Sequence, residues 1–214
     1  MTDALLHERL YRGADALEKL ARARVVICGA GALGSHLADN LIRQGVRHLR
    51  VVDRDRVEAH NVGTQLYDEG DIGGFKVEVL RARLFRAMGV EIEAVAKELG
   101  ERNVATLVRG ADLVIDSFDN AAARGLLTAH CRASGLPCLH LGMNADYGEV
   151  RWNETYRVPA DVLAPDVCAY PLARNLILVV VALGGEATLR FLLAGAREGY
   201  SFTLRDLAIN REGN

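Results

Sequence analysis

The chain has 214 residues, is 50% hydrophobic and 25% charged, and has a formal net charge of −2. That length and apolar content predict one soluble domain with a sizeable core. The nearly balanced charge excludes the basic footprint expected for a nucleic-acid partner or an anionic membrane surface. Met1, Thr2 and Asp3 lead into an amphipathic segment, so no secretory signal is expected. The four cysteines, Cys28, Cys131, Cys138 and Cys168, form no CxxC pair. Free thiols in a reducing cytoplasm are the expectation. Among the cations arginine dominates, and Lys19, Lys76 and Lys97 are the only lysines.

Residues 4–23 predict an amphipathic helix or two, with Leu5, Leu6, Leu10, Leu17 and Leu20 as the apolar set. An apolar strand at Val25, Val26 and Ile27 runs into Gly29, Gly31 and Gly34. The helix that follows has Leu33, Leu37, Leu41 and Ile42 on one face and stops at Gly45. A second strand spans His48 to Asp53. Residues 54–73 have turn chemistry without periodicity and predict a long ordered loop, a feature that is usually functional. A helix follows near 75–88 (Val77, Leu80, Leu84, Phe85, Met88), then a strand near 90–96.

Ala111 to Asp116 is a continuous apolar run, the mark of a strand buried on both faces of a parallel sheet. A helix near 121–134 and a strand at Pro137 to Leu141 complete an alternation that predicts a doubly wound α/β sheet. Beyond it the pattern changes. Tyr147 to Arg157 alternates like an antiparallel strand, 158–170 predicts loop, and 172–195 a long, mostly apolar helix. Its apolar run, Leu176 to Leu183, falls short of the roughly 20 residues that span a bilayer, so a buried helix is expected and no membrane partner. Tyr200 to Ile209 predicts a closing strand or hairpin.

The glycines sit between a strand and a helix, and an acid, Asp53, ends the next strand about 20 residues on. Glycine permits a tight turn and close backbone approach, a helix N-terminus favours phosphate, and the acid suits ribose hydroxyls. The pattern predicts a nucleotide site; Arg54 and Asp55 beside it read as solvated loop charges. Lys76 opens a helix, where the macrodipole disfavours a cation, so an anionic partner is expected and a phosphate clamp suits it. Asp119 and Asn120 follow the strand LVID at the carboxyl edge of the sheet. They suit either an N-cap or, for Asp119, a Mg²⁺ ligand beside phosphates. The six histidines lack ligand spacing, and Cys131, Cys138 and His140 cluster only loosely. Cys168 suits either a reactive loop thiol or a partly buried, inert one.

Together RVVICGAGALGS, VVDRDRVEAHN with Gln65 after it, DIGGFK, and DLVIDSFDN followed by Arg124 resemble the MoeB/ThiF/HesA family, relatives of the ubiquitin-activating enzymes. The resemblance spans roughly residues 9–145. It implies a Rossmann-like, doubly wound, mostly parallel sheet with an antiparallel C-terminal extension, organised as one domain. Residues 1–23 would be an N-terminal helical arm, 24–145 the nucleotide-binding core, and 146–214 the acceptor-side strands and long helix. It also implies ATP and Mg²⁺ as cofactors and adenylation of the C-terminal carboxylate of a small ubiquitin-like or sulfur-carrier protein ending in Gly-Gly. By position, Gly29, Gly31, Ala32 and Gly34 would form the phosphate-side loop and Asp53 would hold the ribose. Asn61, Gln65 and Asn120 would line the pocket, Lys76 would contact phosphates, and Asp119 would bind Mg²⁺. Arg9 or Arg12 matches an arginine that reaches into a partner subunit's site, and the surplus apolar face of helix 172–195 suits a homodimer.

Three departures qualify the resemblance. Thr64 stands where the family usually has a phosphate-contacting arginine, a loss on the order of 1.5–3 kcal/mol. Either Arg54, Arg56 or a partner subunit compensates, or adenylation is slow or absent. The paired CxxC motifs of many members are missing, so no zinc is expected. The family's catalytic-cysteine loop and any sulfurtransferase domain are expected to be missing or reduced, with Cys168 the only cysteine near the corresponding region. Two rivals stay open: a non-catalytic nucleotide- or peptide-binding subunit of a modification system, and an NAD-dependent oxidoreductase.

Overall fold

A computed structural model describes residues 3–159 and 171–212. The N-terminal segment forms two helices, α1 (Leu6–Arg12) and α2 (Ala14–Arg22), because Gly13 between them holds φ at +87°, outside the helical range. Then come β1 (Arg24–Cys28), α3 (Ala32–Arg43), β2 (His48–Val52), α4 (Lys76–Met88) and β3 (Glu93–Val95). They are followed by α5 (Val104–Leu107), β4 (Leu113–Asp116), α6 (Ala121–Ser134) and β5 (Cys138–Asn144). The chain continues through β6 (Tyr147–Trp152), α7 (Arg174–Ala194), β7 (Gly199–Thr203) and β8 (Ile209–Glu212). The 54–73 loop contains two 3₁₀ turns, Ala59–Asn61 and Glu69–Asp71.

The eight strands make one sheet in the order β3-β2-β1-β4-β5-β6-β7-β8. Strands β1 to β5 pair in parallel, and β5 through β8 pair antiparallel. The sheet is therefore Rossmann-like and mostly parallel, with an antiparallel C-terminal extension, as the pattern predicts. Alternate residues of β1 feed different cores: Val25 and Ile27 join α3, α4 and α7 on one face, while Val26 and Cys28 join α5 and α6 on the other. Burial on both faces explains why Val25–Cys28 of β1 and Leu113–Ile115 of β4 are continuously apolar, whereas β6 alternates half-buried and buried residues.

Helix α7 is long and apolar enough to cross a membrane by length and composition, yet its Leu176, Ile177, Val180, Val181 and Ala187 belong to the main core. It continues unbroken through Gly184 and Gly185. A methyl on Gly184 would stand 2.7 Å from Leu141 Cδ2, and one on Gly185 2.6 Å from Asn40 Nδ2. The glycines let the helix lie close against β5 and α3.

Several boundaries differ from the sequence expectation. Strand β6 ends at Trp152, not Arg157, because residues 153–155 form a turn. Residues 199–212 form a complete hairpin. Helix α5 has no antecedent in the pattern, since four residues are too few to show a period.

Candidate nucleotide site

The strand order reverses between β1 and β4, and in open α/β sheets ligands bind outside the carboxyl ends at that switch point. The loops leaving those two strands meet there. Ser117 donates through Oγ to the carbonyls of Cys28 and Gly29, both at 3.0 Å. Gly29 adopts φ +102°, and a methyl there would sit 2.9 Å from the Ser117 carbonyl oxygen. Gly34 is tighter still: its Cβ would lie 1.9 Å from the Gly29 carbonyl oxygen and 2.6 Å from Ser117 Oγ. Gly31 differs, because nothing lies within 4 Å of where its Cβ would be. Two of the three glycines thus let loops and helix close on one another, and the third leaves the backbone open from outside. Gly31 is the N-cap of α3 and offers no side chain to the first-turn N–H groups, with Ala32 the first helical residue. An open backbone turn before an uncapped helix fits a phosphate.

Asp53 lies just past β2 and is 8% exposed. The N–H of Ala30 donates to its Oδ2 and that of Asp55 to its Oδ1, both at 2.7 Å. Burial raises its pKa, against the opposing pull of the Ala30 N–H, Lys76 and the Asp55 N–H. Both oxygens already hold the loop, and each keeps a second lone pair for another donor. Tyr67 closes the same corner by donating through Oη to the Ala30 carbonyl at 2.7 Å.

Lys76 opens α4 and is 8% exposed. Its Nζ stands 3.3 Å from Asp55 Oδ2. The anion its placement calls for is partly supplied from within the chain, and Asp55 is more than the solvated charge the sequence suggests. Arg54 Nη1 pairs with Glu98 at 2.6 Å, and Arg56 lies 3.8 Å over the Phe75 ring and donates to the Gly73 carbonyl.

The 61–66 segment lies along α3. Asn61 is buried, and its Oδ1 accepts the Glu58 N–H at 2.9 Å. Thr64 O faces His36 Nε2 at 3.2 Å, and the Leu66 N–H donates to Ser35 Oγ at 3.1 Å. Gln65 Oε1 is buried without a hydrogen-bond partner, so one polar atom of this segment has an unmet need for a donor.

Asp119 and Asn120 are exposed where β4 gives way to α6. Asn120 Oδ1 accepts the Ala123 N–H at 2.8 Å, which makes it the N-cap of α6. Its Nδ2 lies 3.5 Å from Asp119 Oδ1. The cap reading thus falls to Asn120, and the Asp119 carboxylate projects at the sheet edge. Among the described residues no group of three or more His, Cys, Asp or Glu side chains is gathered to hold a metal. Cys28, Cys131 and Cys138 are buried, and burial pushes the thiols of Cys28 and Cys138 up. Cys168 lies outside the described residues.

Of the two N-terminal arginines, Arg12 is committed within the chain, to Glu8 and Glu186, each at 2.8 Å. Arg9 is exposed and, among the described residues, pairs with Asp3 at 3.2 Å.

One constellation was not anticipated. Asp116, at the end of β4, is fully buried, with His140 Nδ1 at 2.8 Å and Arg124 Nη1 at 3.5 Å from its Oδ2. His140 reaches Asn153 Oδ1 at 3.0 Å and stacks on Tyr156 with ring centroids 3.8 Å apart. Arg124 also donates to Tyr156 Oη, Leu141 O and Phe118 O. Burial works against the Arg124 charge, but Asp116, Tyr156 and Asp119 outweigh it and hold its proton more firmly. The signal available was a charged residue ending a fully apolar strand, with a histidine inside the next one.

A family model described as the ThiF family matches residues 5–161. The chain belongs to the ThiF family. Among curated relatives, the sulfur carrier protein ThiS adenylyltransferase of Bacillus subtilis is 34% identical over 157 residues, 69% of this chain and 46% of that protein. The SAMP-activating enzyme E1 of Haloferax volcanii is 37% identical over 131 residues, 60% of this chain and 48% of that protein. The chain thus spans about half the length of these relatives. Among solved structures, E. coli MccB with MccA-N7isoASN superposes with a TM-score of 0.83 over all of this chain and 72% of that one, at 19% identity, which establishes a shared fold.

Proposed function

We propose that this ThiF-family chain is an ATP-dependent adenylyltransferase that activates the C-terminal carboxylate of a small ubiquitin-like or sulfur-carrier protein ending in Gly-Gly. The observation that most supports it is the open turn at Gly31 before the uncapped start of α3, with Asp53 bound to the neighbouring Ala30 N–H and within reach of the Lys76 charge. The names of the relatives add support for the carrier-protein class.

In this reading the acceptor carboxylate attacks the α-phosphorus, the bond to the bridging oxygen of the β-phosphate breaks, and pyrophosphate leaves with the electron pair. A C-terminal carboxylate is already ionised at neutral pH, so no general base is needed. The protein's task is positioning and charge neutralisation. Residues Gly29–Gly34 receive phosphate, Asp53 accepts from the ribose with its remaining lone pairs, and Asn61, Gln65 and Asn120 line the pocket. Lys76 neutralises phosphate oxygens. Asp119 supplies the carboxylate oxygen for Mg²⁺, which typically takes one or two carboxylates besides phosphates. We place the activity in the cytoplasm, in a homodimer in which Arg9 reaches the neighbouring site.

The test is ATP–pyrophosphate exchange with a Gly-Gly-terminated carrier protein. Exchange that Lys76→Ala and Asp119→Ala each abolish is the expected outcome; exchange that survives both overturns the site assignment. The second reading, a nucleotide-binding subunit without catalysis, draws on Thr64 at the position where the family usually has an arginine. ATP binding without exchange, whatever carrier is supplied, would select it.

A further inference from the structure

We propose that Arg174, the first residue of α7, is a triphosphate-binding residue of this site and supplies the guanidinium that position 64 does not. The inference rests on the ATP reading above. A triphosphate bears several negative charges, and the described cations around the crevice are largely committed. Lys76 shares its charge with Asp55, Arg54 pairs with Glu98, Arg56 is stacked on Phe75, and Arg124 is buried against Asp116.

Arg174 is in a different state. It is exposed, has no carboxylate partner among the described residues, and donates through Nη1 to the Gly63 carbonyl at 3.1 Å. Gly63 precedes Thr64, whose carbonyl faces His36 of α3, and Leu66 is fastened to Ser35 of the same helix. Helix α3 itself starts at the open glycine turn. A continuous series of contacts therefore runs from the phosphate-side turn through Ser35 and His36 to the 63–66 segment and on to Arg174. Burial lowers the His36 pKa and the Arg174 charge acts in the same direction, which fits the closeness of the two side chains around the 63–66 segment.

The placement itself is costly without an anion. A cation in the first turn of a 21-residue helix opposes the macrodipole, and no side chain caps that turn. A bound phosphate would reverse the sign of both effects. The fork of guanidinium N–H groups leaves donors free after one is spent on Gly63 O.

The experiment is calorimetric titration of the full chain with MgATP and with AMP, for wild type, Arg174→Ala, Arg174→Gln, and the double variant Arg174→Ala with Thr64→Arg. Arg174→Gln keeps an N–H donor for Gly63 without the charge, and circular dichroism checks that each variant is folded. Loss of a charged contact predicts ATP binding about 10- to 100-fold weaker in both single variants, with AMP affinity changed less than about threefold. The double variant should recover most of the ATP affinity. Equal weakening for ATP and AMP, rescued in Arg174→Gln, would mean that Arg174 only holds the 63–66 segment, and unchanged ATP affinity in Arg174→Ala would likewise overturn the proposal. Both outcomes leave the ATP reading intact. A wild-type chain that takes up no MgATP defeats that reading, and the proposal with it.

Discussion

Gly31 and Gly34 are three residues apart and do opposite work. At Gly34 the missing side chain is filled by the chain itself, with the Gly29 carbonyl 1.9 Å from a hypothetical Cβ. Gly34→Ala must push two backbone segments apart, and we expect about 1–3 kcal/mol of lost stability. At Gly31 φ is −79° and the space is open, so alanine is sterically and conformationally acceptable. Gly31→Ala should unfold in urea at the wild-type midpoint yet bind MgATP at least tenfold more weakly, because the methyl stands where phosphate would approach. If calorimetry finds the same affinity for Gly31→Ala as for wild type, the phosphate does not lie over this turn. The distinction was invisible in the GxGxxG spacing, which treats the three glycines alike.

At the scale of elements, the 61–66 segment has no regular structure beyond a 3₁₀ turn and depends on α3 for its position. His36 is one of its two side-chain anchors on α3. Burial lowers the His36 pKa below the ordinary 6.5; the Thr64 carbonyl and Asp39 oppose this, while Arg174 and Arg83 act with it. The unfolded chain therefore binds a proton at His36 more readily than the folded one. Stability from this group is complete above pH 6.5 and declines as pH falls from there toward the lowered folded value. Urea unfolding between pH 7.5 and 5 should show that decline, and His36→Gln should flatten it. An equally steep decline in the variant would assign the effect elsewhere. The long ordered loop at 54–73 was legible as an element, but its anchors on Ser35 and His36 were not. A histidine on an apolar helix face has no spacing that reveals what it touches.

At the scale of the molecule, the parallel core and the antiparallel extension are joined by a buried ionic network. Asp116 ends β4, Arg124 lies on α6, His140 on β5, and Asn153 and Tyr156 follow β6. Arg124 also grips the Phe118 carbonyl, so the loop that presents Asp119 is tied to the same network. Asp116→Ala leaves a buried guanidinium without its anion, and we expect about 3–5 kcal/mol of lost stability. Chemical denaturation measures this, and a loss below 1 kcal/mol would show that the network is not the joint we describe. The N-terminal arm is held by a partly exposed pair, the Arg12 guanidinium on Glu186 of α7.

The primary structure alone determined the alternation of strands and helices, the glycine turn with its acid, and the helical character of 76–88 and 174–194. Each depends on near neighbours, through the strand and helix periods or the conformational freedom of glycine. Tertiary structure decided which charges meet. Arg174 and Gly63 are 111 residues apart, and His140 reaches Asp116 from 24 residues away. Such pairs follow from the order in which strands are laid into the sheet, where β4 is inserted beside β1 and the chain ends in antiparallel strands. No local period encodes that order, because it is settled by burying several apolar faces at once.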